Sequence, residues 1–118
     1  PPAEIVPPKG DFFSYESKYT GASQEICPGR FSRVETEELM RAAKLMHKAL
    51  GQRHYSRSDF MVAPRKMPGP SRAYYLETNS APAAGLTAES LLPKSLNAVG
   101  IPFSDFLDHL VDSALGRV

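Results

Sequence analysis

Two segments of strict two-residue alternation constrain this chain most. From about Tyr55 to Val62, Tyr55, Arg57, Asp59 and Met61 point one way and Ser56, Ser58, Phe60 and Val62 the other. From about Ala73 to Asn79, Tyr75, Glu77 and Asn79 share a face opposite Tyr74, Leu76 and Thr78. Between them runs a segment of about ten residues carrying Pro64, Pro68, Gly69 and Pro70, so the pair predicts an antiparallel hairpin. Residues two apart on a strand lie about 6.5 Å apart on one face, and neighbouring strands lie about 4.8 Å apart. Arg57, Asp59, Glu77 and Asn79 therefore fall within one small patch. Symmetric closure sets Asp59 opposite Glu77 and Arg57 opposite Asn79.

The clearest helix precedes the hairpin. Leu39, Ala42, Ala43, Met46, Ala49 and Leu50 follow the three-and-four spacing of a buried stripe, while Glu37, Glu38, Arg41, Lys44 and Lys48 face out. Ser32 with Glu35 forms a capping box, Thr36 is an alternative cap, and Gly51 supplies the stop. Near the start, Glu4-Ile5-Val6 is a short strand between proline pairs, and Glu25-Ile26-Cys27 is strand-like up to Pro28-Gly29. The polar run from Ser17 to Gln24 has neither period and is expected to be a surface loop; the whole mobile loop covers about 11–27. After the small residues Ser80 to Thr87, a helix starts near Ser90 to Pro93 and stops at Gly100. A last helix, capped by Ser104, is expected to bury Phe106, Leu107, Leu110, Val111, Ala114 and Leu115.

Composition narrows the function classes. With 118 residues the chain supports at most one compact domain. A net charge of +1 offers no field to gather nucleic acid or an anionic membrane, so an anion site must be built locally. No apolar run approaches the roughly 18 residues that span a bilayer, and no signal pattern opens the chain. One cysteine, Cys27, cannot form an internal disulfide, which fits a reducing, cytoplasmic setting. His47, His54 and His109 lack partners at metal-ligand spacing and are expected to be structural or solvated. A chain opening on Pro1-Pro2 and half a strand reads as cut from a larger protein.

The hairpin patch carries the chemistry. Directly opposed carboxylates destabilise a sheet unless something positive lies between them. An oxygen-only set of Asp, Glu and Asn suits Mg²⁺, which takes one or two carboxylates and completes its shell with water and nucleotide phosphates. The same residues also suit an ordinary solvated strand face.

Order and context decide between those readings. Tyr15-Glu16-Ser17-Lys18-Tyr19, the long helix, Ser56-Arg57-Ser58-Asp59-Phe60, Leu76-Glu77-Thr78-Asn79-Ser80-Ala81-Pro82, Thr87-Ala88-Glu89-Ser90-Leu91-Leu92-Pro93 and Gly100-Ile101-Pro102 follow one another. Together they resemble the C-terminal part of the D-alanine-D-alanine ligases, which are ATP-grasp enzymes. The resemblance runs over essentially the whole chain. It implies an α+β fold: a C-terminal ATP-grasp lobe over 1–118, with a mostly antiparallel sheet holding the Glu4, Tyr55 and Ala73 strands and three helices on one side. The family's N-terminal and central lobes lie outside this chain and are expected upstream.

By the same resemblance, the substrates are ATP and D-alanine, and the reaction forms an acyl phosphate that a second D-alanine attacks, for peptidoglycan precursors. Asp59, Glu77 and Asn79 would be the ligands of Mg²⁺, two ions in the family, with Mn²⁺ as a substitute. Arg57 would stabilise the acyl phosphate and the developing oxyanion. Lys18, in a closing loop, would approach the terminal phosphate of ATP, and Tyr19 would organise the acceptor end. Ser90 would hydrogen-bond the carboxylate of the second D-alanine, with Leu91 against its methyl. A tyrosine at position 19 resembles the dipeptide-forming members rather than the depsipeptide-forming ones. Neither nucleic acid nor membrane is an expected partner, and a homodimer is compatible with the face left uncovered.

One departure bears on the site. The family writes Pro-Gly-Met-Thr after the Glu-x-Asn strand, where this chain has Pro82-Ala83-Ala84-Gly85-Leu86-Thr87, two residues longer. The oxyanion-hole amide is then that of Ala83 or of Gly85. The lengthened segment also supports an alternative reading, an ATP-grasp carboxylate-amine ligase with a different acceptor. A third is a catalytically inactive ATP-grasp fragment retained for interaction.

Overall fold

In a computed structural model, residues 1–7, 23–63, 72–81, 83–87 and 89–118 are described. Strand β1 (Glu4–Val6) pairs antiparallel with β2 (Gln24–Ile26). Helix α1 (Arg33–Ala49) follows, then β3 (Ser56–Val62) and β4 (Ala73–Ser80), and finally α2 (Leu91–Asn97) and α3 (Phe103–Ala114). The fold is α+β with antiparallel pairing throughout the described strands. The expected single sheet is instead two separate two-stranded ladders, because β1 finds its partner in β2 and not in the hairpin. The end of the loop expected over 11–27 is thus strand β2, which Arg30 fastens by donating through Nε (2.9 Å) and Nη2 (2.8 Å) to Glu4. That contact holds the Glu4 carboxyl below its usual range. Residues 11–22 of that loop lie outside the described residues.

Helix α1 starts where its capping box requires. Ser32 sits in extended backbone, its amide donates to Glu35 Oε2 at 2.8 Å, and its Oγ accepts from the Glu35 amide at 3.3 Å. The helix stops at Gly51, whose φ of +60° is costly for residues with a Cβ. There the amides of Gly51 and Gln52 reach back to the carbonyls of Lys48 and His47, closing the end in a Schellman motif. At the start of α1, buried Glu35 is also met by the Arg72 guanidinium, which donates as well to the Ala63 carbonyl. One arginine thereby joins the start of α1 to the end of the hairpin ladder. At the other end of α1, His47 Nδ1 lies 2.8 Å from Ser56 Oγ, so the helix lies across the Ser56, Ser58 and Phe60 face.

The hairpin closes in the expected register, Arg57 opposite Asn79 and Asp59 opposite Glu77. A β-bulge then shifts the register: Phe60 pairs with Tyr75, and Leu76 is the extra residue. Tyr75 consequently does not share the Glu77 and Asn79 face. Its ring packs edge-on against Phe60 at 5.9 Å and its hydroxyl donates to Thr78 Oγ1 at 3.1 Å, both on the helix-covered side. Tyr55, just before β3, is buried edge-on against Phe106 of α3 at 5.5 Å. That contact docks α3, but the stripe expected to be buried there is half open: Leu107, Val111 and Leu115 are 39, 57 and 59% exposed. Pro102, not Ser104, is the N-cap residue of α3, and Ser104 donates to Asp105 instead.

Candidate functional site

The face of the hairpin turned away from α1 carries the four residues singled out by spacing. Each carboxylate is held by its own strand. Arg57 donates to Asp59 as a fork, Nε to Oδ1 at 3.0 Å and Nη2 to Oδ2 at 3.2 Å. On the partner strand, Asn79 Nδ2 donates to Glu77 Oε1 at 3.3 Å. The opposition of Asp59 and Glu77 is thus tempered by a guanidinium on one side and an amide on the other. Arg57 and Asp59 are half-buried, 33 and 24% exposed. Their ion pair contributes little to folding, about 0–1 kcal/mol for such a position. Behind the patch, Ser58 and Thr78 hydroxyls meet at 2.8 Å on the helix side, so the strands beneath the site are locked together.

The groups on this face that could ligate a cation are the carboxylate oxygens of Asp59 and Glu77 and the amide oxygen of Asn79. Among the described residues, no three His, Cys, Asp or Glu side chains are grouped as a metal cage. Two carboxylates and one amide oxygen are hard donors that could hold a cation bringing its own water or phosphate oxygens, as Mg²⁺ does.

Ser90 and Leu91 stand at the start of α2, connected to β4 through residues 81–89. The amide of Ala84, a fully buried residue, donates to the Ser80 carbonyl at 3.0 Å. Ala84's own amide is therefore committed, and the two oxyanion candidates remain the amides of Ala83 and Gly85. Gly85 has φ +80°, and a Cβ added there would lie 2.8 Å from Ser90 Oγ. Ser90 occupies the N-cap position, yet its hydroxyl makes no cap bond. Ser90 Oγ accepts instead from the Thr87 amide at 3.1 Å and lies 2.9 Å from Thr87 Oγ1, while the Ser90 amide donates to the Thr87 carbonyl at 2.8 Å. Thr87 as a partner of Ser90 was not foreseen from spacing; the Thr-x-x-Ser interval after a glycine is the signal that finds it. Lys18 and Tyr19 lie outside the described residues.

The other conspicuous side chains are tied into structure. His47 bonds Ser56, and His54 Nδ1 lies 3.3 Å from Ser113 Oγ. Half-buried Cys27 lies 3.5 Å from Ser95 Oγ. Lys94 donates to Glu25 at 2.7 Å, which raises the lysine's proton affinity and ties α2 to β2. No helix among the described residues is long and apolar enough to cross a membrane.

A family model described as "D-ala D-ala ligase C-terminus" matches residues 1–112. The chain is 42% identical over 117 residues to the D-alanine-D-alanine ligase of Syntrophobacter fumaroxidans, covering 98% of this chain and 35% of that protein. It is 41% identical over 119 residues to that of Desulfotalea psychrophila, covering 99% of this chain and 35% of that one. Among solved structures, the D-alanine-D-alanine ligase of Bacillus anthracis complexed with ATP superposes with a TM-score of 0.70 at 30% identity, covering 97% of this chain and 35% of that chain. The chain spans about a third of the length of the curated relatives it matches.

Proposed function

The chain belongs to the D-alanine-D-alanine ligase C-terminal family, and on that premise we propose that it is the metal and acceptor half of an ATP-dependent ligase joining two D-alanines in cytoplasmic peptidoglycan precursor synthesis. The observation that carries this reading is the register of the hairpin, which sets Asp59 against Glu77 and Arg57 against Asn79 on the face away from α1. The ATP named in the Bacillus anthracis structure supports the nucleotide.

In this reading Asp59, Glu77 and Asn79 hold Mg²⁺, which when bound neutralises triphosphate charge and polarises the transferring phosphoryl group. Arg57 keeps a guanidinium at the edge of the patch, where negative charge develops as the first D-alanine carboxylate becomes an acyl phosphate and is then attacked. Its fork on Asp59 fixes the orientation of the guanidinium in this structure. Lys18 adds a second positive charge toward the terminal phosphate, and Tyr19 orders the acceptor side. Ser90 donates to the carboxylate of the second D-alanine, and Leu91 packs beside its methyl. An amide of Ala83 or Gly85 completes the oxyanion hole.

The test is ADP and phosphate release by the complete protein over D-alanine, D-lactate, D-serine and L-amino acids. Turnover that requires D-alanine supports the reading. Turnover only with another acceptor favours the related carboxylate-amine ligase that the lengthened segment between Pro82 and Thr87 allows. Binding of ATP and Mg²⁺ without turnover on any of them overturns the catalytic assignment.

A further inference from the structure

Resting on the reading of Ser90 as the donor to the acceptor carboxylate, we infer that Thr87 is a positioning residue whose hydroxyl commits Ser90 to donating. A serine hydroxyl carries one proton and two lone pairs. One lone pair of Ser90 Oγ is occupied by the Thr87 amide at 3.1 Å. The two hydroxyls lie 2.9 Å apart, and in the assigned polarity that of Thr87 donates to the second lone pair. With both lone pairs filled, the proton of Ser90 is the only hydrogen-bonding capacity it has left, and that proton suits an incoming carboxylate oxygen. The opposite polarity would spend the proton on Thr87 and aim a lone pair at the carboxylate.

Three further features hold this arrangement. The Ser90 hydroxyl is not drawn into capping α2, although Ser90 stands in the N-cap position. The Ser90 amide returns a bond to the Thr87 carbonyl at 2.8 Å, so the two residues are joined through backbone as well as side chain. Gly85 keeps the space beside Ser90 Oγ clear, since a Cβ there would lie 2.8 Å from that oxygen. The signature Thr-x-x-Ser is here a device for fixing the direction of one hydroxyl proton.

The experiment measures acceptor KM, ATP KM and kcat in the complete ligase containing this lobe, for wild type, Ser90→Ala, Thr87→Val and Thr87→Ser, each checked by thermal melting. Valine keeps the shape and the backbone amide and removes only the hydroxyl. Expected is a rise of about fivefold in acceptor D-alanine KM for Thr87→Val, the worth of one net hydrogen bond, with ATP KM and kcat unchanged and near wild-type behaviour in Thr87→Ser. Ser90→Ala should raise acceptor KM at least as much. If Ser90→Ala acts and Thr87→Val does not, or Thr87→Ser fails to rescue, the positioning role is overturned while the reading of Ser90 stands. A Thr87→Val variant that shifts ATP KM equally also overturns it, since that is general damage. An unchanged acceptor KM in Ser90→Ala overturns the reading of Ser90 and the inference with it.

Discussion

At the scale of single residues, the patch on the hairpin separates function from stability. Asp59 and Glu77 face each other across the ladder, and each accepts a hydrogen bond from a neighbour on its own strand. On the proposed reading, Glu77→Gln removes a charge the metal needs, at an exposed position of β4. Turnover by the complete protein should fall below detection while its melting temperature moves by no more than about 2 °C, the shift expected for a change within about 0.5 kcal/mol in a larger protein. An unchanged rate would refute the hairpin as the metal site. This register was legible because alternation over two segments leaves one way to bury the serine and phenylalanine side. The bulge at Leu76 was not, since Tyr74-Tyr75-Leu76 are all good strand formers and no glycine or proline marks the extra residue. Tyr75 accordingly lies on the Phe60 side and not on the side its alternation with Glu77 predicts. The pairing of Thr87 with Ser90 escaped for a different reason: it depends on the conformation of Gly85, not on any period.

Among the elements, α1 and the hairpin are joined through Glu35, and this joint has a pH signature. Hydrogen bonds from the Ser32 side chain and amide, then the Arg72 guanidinium, hold the Glu35 carboxyl down from 4.5 to about 2 despite its burial. A carboxyl depressed in the folded state adds stability that is fully present above its unfolded value. That contribution is lost as pH falls from about 4.5 toward 2. The urea midpoint should therefore drop over this window, and Glu35→Gln should flatten that part of the drop, leaving the remainder to other carboxylates. Ser32→Ala should cost about 1 kcal/mol of stability near neutral pH by removing the cap acceptor. Both ends of α1 could be anticipated from Ser32, Glu35 and Gly51 because capping is local chemistry. The partnership with Arg72 could not, because 37 residues separate it from Glu35. Nor could the partner of β1: a three-residue strand carries no information about which ladder it joins.

On the scale of the whole molecule, periodicity tells which stripe of a helix is apolar but not what covers it. Leu39, Tyr55, Ala63 and Ala84 form the buried apolar core of the described residues, and only Ala84 is wholly removed from solvent. Leu107, Val111 and Leu115 of α3 remain open although their spacing is that of a buried face. The proposed catalytic face is only half-covered among the described residues, with Arg57 and Asp59 at 33 and 24% exposure. Charges so placed are partly screened by water, and an open patch gives an acyl phosphate no shield against hydrolysis. On the proposed reading, closure over the patch needs the lobes that make up the rest of each relative as well as the Lys18 segment, since these 118 residues match about a third of each relative. The chain alone should therefore release no ADP in the presence of ATP, Mg²⁺ and D-alanine in a coupled assay, whereas the complete protein should turn over. ADP release by the 118-residue chain at a rate comparable to the complete protein's would mean that the hairpin face and the Ser90 segment suffice without a second lobe, and the division of labour proposed for this site would fall.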